Sequence, residues 1–363
     1  MYFYCLLRLH FPGVPIMKKS NILLTTSLVV FLCVLLAGCT SQESKTNTVK
    51  TDPTILDKPN QSQSTPPNNS NASTSDNQTI TITPGEPTTP TLFLPILINN
   101  SFAFPYVHPA ATDGQDLPPE KWQVWPVIPV ISDRALDIYR AGISQGNDPM
   151  HFSKVGDCQN IHQYFLGLFD STGTFRLGEN YEYLQETIDY FSGNWSRASE
   201  AVRTGFNVAS VLAPLHANPQ NCLPAETPLA CEIRIWNPSF VIISMETWTT
   251  DRPVEAYENY LRQIVEYAIS KNVLPIVGTK ADNLEGNQAI NQIVARVAAD
   301  YDIPLWNFWA ATDPLTDQGL MEDRFHLTNG PNYFDTAESM DLGWPIRNLT
   351  GLLAIDAVWK ALR

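Results

Sequence analysis

Positive charge is scarce in this chain of 363 residues: 23 Lys and Arg stand against 37 Asp and Glu, a formal net charge of -14. Such a surface repels phosphodiester backbones and anionic headgroups, so nucleic acid is not expected as a partner. Metal-ligand spacings are also missing. The chain has no Cys-x-x-Cys pair, no His-Glu-x-x-His run and no calcium-loop pattern, so neither a metal site nor another cofactor is expected. No internal repeat occurs. The N-terminal apolar run, Ile22 to Leu36, is too short for a confident membrane span.

That run follows Met17-Lys18-Lys19 and ends in Leu36-Ala37-Gly38-Cys39, the charge and length pattern of a secretory signal. The ending resembles the lipobox of bacterial lipoproteins, which implies cleavage before Cys39 and lipidation of its thiol. Residues 1-16 then read as an upstream mis-start and 17-38 as the signal peptide. From Cys39 to residue 90 the chain is Ser, Thr, Asn, Gln and Pro with almost no aromatic or large aliphatic residues, too little to offset the entropy of ordering. It is expected to be a disordered tether with a mean reach of about 40 Å. Residues 91-363 are expected to form one domain.

Cysteine usage fits an oxidising compartment. Of six cysteines, Cys5 and Cys33 fall in the leader and Cys39 is the lipid site. Cys222 and Cys231 bracket a short Pro-containing loop and are expected to close a small disulfide, which leaves Cys158 as the odd thiol.

Hydrophobic patterning predicts alternating strands and helices. Ser239 to Met245 is a continuous apolar run suited to a strand buried on both faces, and Pro253 to Lys271 carries apolar residues at helical spacing. Val273 to Val277, Asn287 to Asp300 and Ile303 to Asn307 continue as strand, helix, strand, and Phe152 to Val155 supplies an earlier strand. This alternation predicts an α/β fold with a mainly parallel sheet. Gly156-Asp157-Cys158 then lies just past a strand's carboxyl end, the edge where open α/β sheets bind ligands. A rival nucleophile, Ser144 in Gly142-Ile143-Ser144-Gln145-Gly146, needs a strand before it. It follows instead a predicted helix that opens at Ser132.

Gly156-Asp157-Cys158, taken with Asp323-Arg324-Phe325-His326-Leu327, resembles the first and last sequence blocks of the SGNH hydrolases, also called GDSL esterases and lipases. The likeness extends over about residues 150-363. It implies a three-layer α/β/α sandwich, with a nucleophile after the first strand and an Asp-x-x-His pair near the C-terminus. Gly205, within Val202-Arg203-Thr204-Gly205-Phe206-Asn207, stands where the family's oxyanion glycine would be. Two positions depart from the pattern. Cys158 replaces the serine, and Glu246-Thr247-Trp248-Thr249 replaces the Gly-x-Asn-Asp block, which makes Thr247 and Trp248 the candidate donors there. Gly278 to Asn283 and Trp344 to Thr350 also look like a bacterial exported branch of this family.

In a triad of this kind His326 takes the nucleophile's proton and Asp323 fixes its tautomer. A thiol beside a histidine ionises more readily than a hydroxyl, so Cys158 is the expected nucleophile. The resemblance implies a hydrolase of small acyl esters, such as acylated carbohydrate, held by Cys39 at the outer face of a bacterial cell membrane. The alternative is a catalytically degenerate module of the same fold that binds glycan or a protein partner. Replacing Cys39 by Ala should move the protein out of the membrane fraction, as fractionation and mass spectrometry of the mature N-terminus will show.

Overall fold

The computed structural model describes residues 118–248 and 252–363, together with the backbone of two short strands that precede them. Those strands, β1 (Ile96–Ile98) and β2 (Ser101–Ala103), pair antiparallel. All of these residues belong to one unit, 85–363. The expected signal peptide, Cys39 and the expected tether lie outside the described residues.

The first helix is α1 (Asp133–Ser144), and its N-cap Ser132 accepts from the Ala135 N–H at 3.2 Å. Ser144 is its last residue and donates to the Ala141 carbonyl at 2.7 Å, so the Gly-x-Ser-x-Gly stretch is a helix end and no nucleophile elbow. Next comes β3 (Asp148–Gly156), which starts before the predicted Phe152 and carries a register shift between Asp148 and Phe152. A two-residue strand β4 (Phe175–Arg176) and the helices α2 (Gln185–Tyr190) and α3 (Pro228–Trp236) lead to β5 (Pro238–Ser244). Then follow α4 (Val254–Ser270), β6 (Leu274–Gly278), α5 (Ala289–Tyr301) and β7 (Leu305–Trp306).

Four of these strands form one parallel sheet in the order β3-β5-β6-β7. Every residue of β5 and of β6 is buried. Strand side chains alternate between faces, so an unbroken buried run needs cover on both sides of the sheet. The helices supply it: α1 packs on β5 and β6, α3 on β3, and α4 on β6 and α5. In α4, Tyr257, Leu261, Ile264, Val265 and Ala268 are buried, the single stripe expected of a helix lying on a sheet. The chain is therefore an α/β sandwich about a parallel sheet. β7 ends one residue earlier than the predicted strand because Asn307 turns to cap α6 (Phe308–Thr312), accepting from Ala310 at 3.4 Å. Its amide also reaches the Trp122 carbonyl at 2.8 Å.

On the free edge of β3, Gly156 forms a parallel bridge with Val202. The order thus reads Val202, β3, β5, β6, β7, and the chain steps to opposite sides of β3 after leaving it. That divergence makes the carboxyl end of β3 the topological switch point of the sheet.

The last elements are β8 (Asn332–Tyr333), parallel to β4, then α7 (Ala337–Met340) and α8 (Gly343–Ala361). Every residue of α8 from Pro345 to Trp359 is buried, including Arg347 at 0 % exposure. Arg347 pairs with Glu246 at 2.6 Å, donates to the Ser244 hydroxyl at 3.0 Å and to the Gln159 carbonyl at 3.2 Å. Its guanidinium also lies 4.9 Å from the Phe308 ring centroid and 4.8 Å from that of Phe165. A disulfide joins Cys222 to Cys231, with 5.2 Å between their Cα atoms, and fastens the loop before α3 to that helix.

Removing one partner of a buried ion pair strands the other charge, so Arg347→Ala should cost about 3–5 kcal/mol in urea unfolding at pH 8. The exposed Arg363–Glu186 pair, 2.8 Å apart, sets the contrast. Arg363→Ala should cost at most about 1 kcal/mol. Burial pushes the Glu246 carboxyl from 4.5 up to about 7, against the pull of Arg347. The folded state then holds a proton that the unfolded carboxyl releases. Stability from this group is therefore full below pH 4.5 and declines as pH rises toward 7, a slope that Glu246→Gln should flatten.

Candidate functional site

At the end of β3 the chain turns sharply through Cys158–Asn160, capped by Asp157, whose Oδ1 accepts from the Gln159 N–H at 3.0 Å. Gly156 is required there by close approach. A Cβ on it would sit 2.0 Å from the Asn160 amide nitrogen, which crosses to the Ser244 carbonyl of β5 at 2.7 Å. Asp157 is completely buried, and its Oδ2 accepts from the N–H groups of Glu246 at 2.8 Å and Thr247 at 2.7 Å. The Thr247 hydroxyl donates to the same oxygen at 2.9 Å. One carboxylate thus binds the Cys158 turn to the loop after β5. Cys158 itself is half-buried and lies outside the disulfide.

The Asp-x-x-His segment forms the other half of the site. Asp323 Oδ2 lies 2.6 Å from His326 Nδ1. A carboxylate only accepts, so Nδ1 carries the proton. Asp323 Oδ1 accepts from the N–H groups of Phe325 at 3.0 Å and His326 at 2.9 Å. Partial burial works to raise Asp323, but the hydrogen bonds from the His326 ring and these two amides outweigh it and hold the carboxyl below its usual range. Arg324 takes a φ of +58° to let the segment close on itself, with Met321 N–H donating to the His326 carbonyl at 2.7 Å. The side chains of His326 and Asp323 remain 41 % and 50 % exposed.

A hydrogen bond from Gln159 Nε2 to the Phe325 carbonyl, 3.1 Å, ties the two halves together. It joins the neighbour of Cys158 to the neighbour of His326. The segment carrying Gly205 runs along the other flank, since Gly156 donates to the Ala201 carbonyl at 3.1 Å and accepts from Arg203 at 3.4 Å. Gly205 sits in an exposed turn at a φ of +82°, with nothing within 4 Å of a would-be Cβ, so backbone conformation selects glycine there.

The structure therefore places Cys158, Gly205, Thr247, Asp323 and His326 on loops that meet at the carboxyl end of β3. Trp248 is in the adjoining loop but is 4 % exposed and packs edge-on against Tyr257 at 5.6 Å. Its indole N–H is buried without a hydrogen-bond partner among the described residues. Both donors of Thr247 are committed to Asp157. Sequence reading missed the residues that brace the site, Gln159, Asn160, Ser244, Glu246 and Arg347. Arg347 did fall within the Trp344 to Thr350 segment noted for its family likeness. Lys280 in the other such segment is buried between Asp282 and Glu285, each 2.6 Å away, and is a brace at the end of β6.

No family model matches the chain, and neither does any curated protein. Among the solved structures similar to it are two described as lipolytic proteins. One is a putative lipolytic protein of the G-D-S-L family from Desulfitobacterium hafniense DCB-2, at 16% identity over 57% of this chain and 98% of that one, with a TM-score of 0.34. The other is a GDSL-like lipase from Bacteroides thetaiotaomicron VPI-5482, at 15% identity over 63% and 100%, with a TM-score of 0.35. The α/β assignment of this chain rests on its own sheet order.

Asp157 supplies four acceptor contacts that an amide cannot reproduce, because one oxygen becomes an NH₂ facing donors. Asp157→Asn should therefore cost about 2–4 kcal/mol in urea unfolding and loosen the Cys158 turn. The rate of Cys158 alkylation under native conditions should rise with it, and an unchanged rate would mean that Asp157 does not hold the turn.

Proposed function

We propose that this protein is an SGNH/GDSL-like hydrolase of small acyl esters that works through Cys158, His326 and Asp323. The observation that carries the reading is the 2.6 Å Asp323–His326 pair, held by the Gln159–Phe325 hydrogen bond beside the Cys158 turn at the sheet's switch point. In this reading His326 Nε2 takes the thiol proton, and the thiolate attacks the ester carbonyl to form a tetrahedral oxyanion. Backbone N–H groups of the Cys158 turn and of Gly205 face that charge. Collapse breaks the bond to the leaving alcohol, which His326 protonates, and water admitted by the half-exposed histidine then cleaves the acyl-enzyme. An acylated carbohydrate is the substrate class we favour. Cys39 would hold the domain at the outer face of a bacterial membrane.

One observation favours a second reading, a degenerate module that binds glycan or a protein partner. Neither of the two candidate donors after β5 faces a ligand, because Thr247 is bound to Asp157 and Trp248 is buried. Losing one oxyanion donor typically costs about 10²–10³ in rate. A p-nitrophenyl ester panel from acetyl to octanoyl separates the two readings. The hydrolase should turn over slowly, lose about 10²–10⁴ in kcat with His326→Ala, and stop when Cys158 is alkylated. Absence of turnover across the panel would leave the binding module.

A further inference from the structure

Sulfur at position 158 has a consequence for the second half of the reaction. The acyl-enzyme it forms is a thioester, whose carbonyl lacks the resonance stabilisation of an oxygen ester. Amines attack thioesters much faster than oxygen esters, whereas water distinguishes the two far less. A cysteine in this position therefore biases the fate of the acyl group toward an amine acceptor. We propose that the protein is an acyltransferase that passes the acyl group from Cys158 to a primary amine in preference to water; this rests on the Cys158–His326–Asp323 reading above.

Two features of the site fit an amine acceptor. The first is access. The His326 side chain is 41 % exposed, so its ring can be approached by an acceptor larger than water. The second is charge. At neutral pH a primary amine arrives as a cation, and the His326 loop carries Asp317, Glu322 and Asp323 exposed against the single Arg324, in a chain of net charge -14. Such a lip raises the local concentration of cations and lowers that of anions.

The step balances with groups already in the site. The thiolate of Cys158 attacks the donor carbonyl, the carbon–oxygen bond breaks, and the alcohol leaves with the proton held on His326 Nε2. The ammonium gives its extra proton to solvent, and the neutral amine then attacks the thioester carbonyl while His326 Nε2 takes one N–H proton. The carbon–sulfur bond breaks and an amide leaves, after which Cys158 and His326 regain their starting forms. No oxidant, reductant or metal takes part.

The test follows the acyl group in the full chain purified in detergent with its thiols reduced. Phenyl thioacetate serves as donor and glycinamide as acceptor, with protein alkylated at Cys158 as background. Intact mass should show an acetyl adduct on Cys158 without acceptor, and added glycinamide should yield N-acetylglycinamide in excess of acetate. In Cys158→Ser the ratio of transfer to hydrolysis should drop at least about tenfold, because an oxygen ester favours water. If that variant does not fold, the wild-type product ratio decides alone. An adduct that releases only acetate, at any glycinamide concentration, overturns acyl transfer and leaves the hydrolase standing. Failure to form the adduct overturns both.

Discussion

The carboxylate of Asp157 is the constraint on which the upper edge of this sheet depends. It is fully buried and would be prohibitively costly there alone, yet it accepts from three backbone N–H groups and one hydroxyl. Hydrogen bonds to a charged acceptor are worth about 1.5–3 kcal/mol each, enough together to hold two loops in one geometry. The turn at the end of β3 and the loop after β5 are consequently one rigid body. The same bonds carry a chemical consequence, because donors turned inward to Asp157 are not available to a substrate. Thr247 serves the architecture of the site at the expense of the chemistry the family resemblance gave it.

A second layer of buried charge lies behind the first. Arg347, from the middle of α8, reaches Glu246, Ser244 and Gln159, and so binds the C-terminal helix to the same two loops that Asp157 joins. Lys280 with Asp282 and Glu285 repeats the arrangement at the end of β6. Such pairs recover little net free energy, since the desolvation of both ions offsets their attraction. Their effect is directional. An apolar contact tolerates sliding, while a guanidinium with three fixed acceptors does not, so these ions set the positions of loops that apolar packing alone would leave loose. The body of the sheet, apolar along β5 and β6, gives cohesion; its carboxyl edge gives geometry.

This division explains what could be read from the sequence. β5, α4, β6 and α5 were legible because each carries one uniform signal: continuous burial in the strands and a single apolar stripe in the helices. β3 was legible only over Phe152 to Val155, since Asp148 to His151 are partly exposed and form no apolar run. α8 gave no periodic signal because it is buried on every side, and Arg347, Asn348 and Asp356 break the apolar run that would otherwise mark it. The pair Asp323 and His326 was legible through the family resemblance, whose Asp-x-x-His block keeps both partners on one short loop. Gln159, Asn160 and Glu246 were not, since each acts through a contact with a residue distant in sequence, such as Asn160 with Ser244. The roles of Thr247 and Trp248 were illegible for the same reason: what decides whether a side-chain donor faces a ligand is the identity of the group already bound to it.

The two halves of the site are built in different ways, and that difference bears on how such a site changes over time. The Cys158 turn is buried and braced from β5 and α8, so most substitutions around it alter stability and geometry together. The Asp323–His326 segment is exposed and braced mainly by its own backbone, through Asp323 Oδ1 and the Met321–His326 bond. Changes there should have little effect on the fold. Selection can therefore retain the first half for stability alone, whereas the second half has only local structure to justify its Asp–His pairing. A 2.6 Å carboxylate–imidazole contact standing half in solvent contributes about 1 kcal/mol or less to stability. Stability therefore accounts for this pairing far less well than it accounts for the better-packed Asp157 turn.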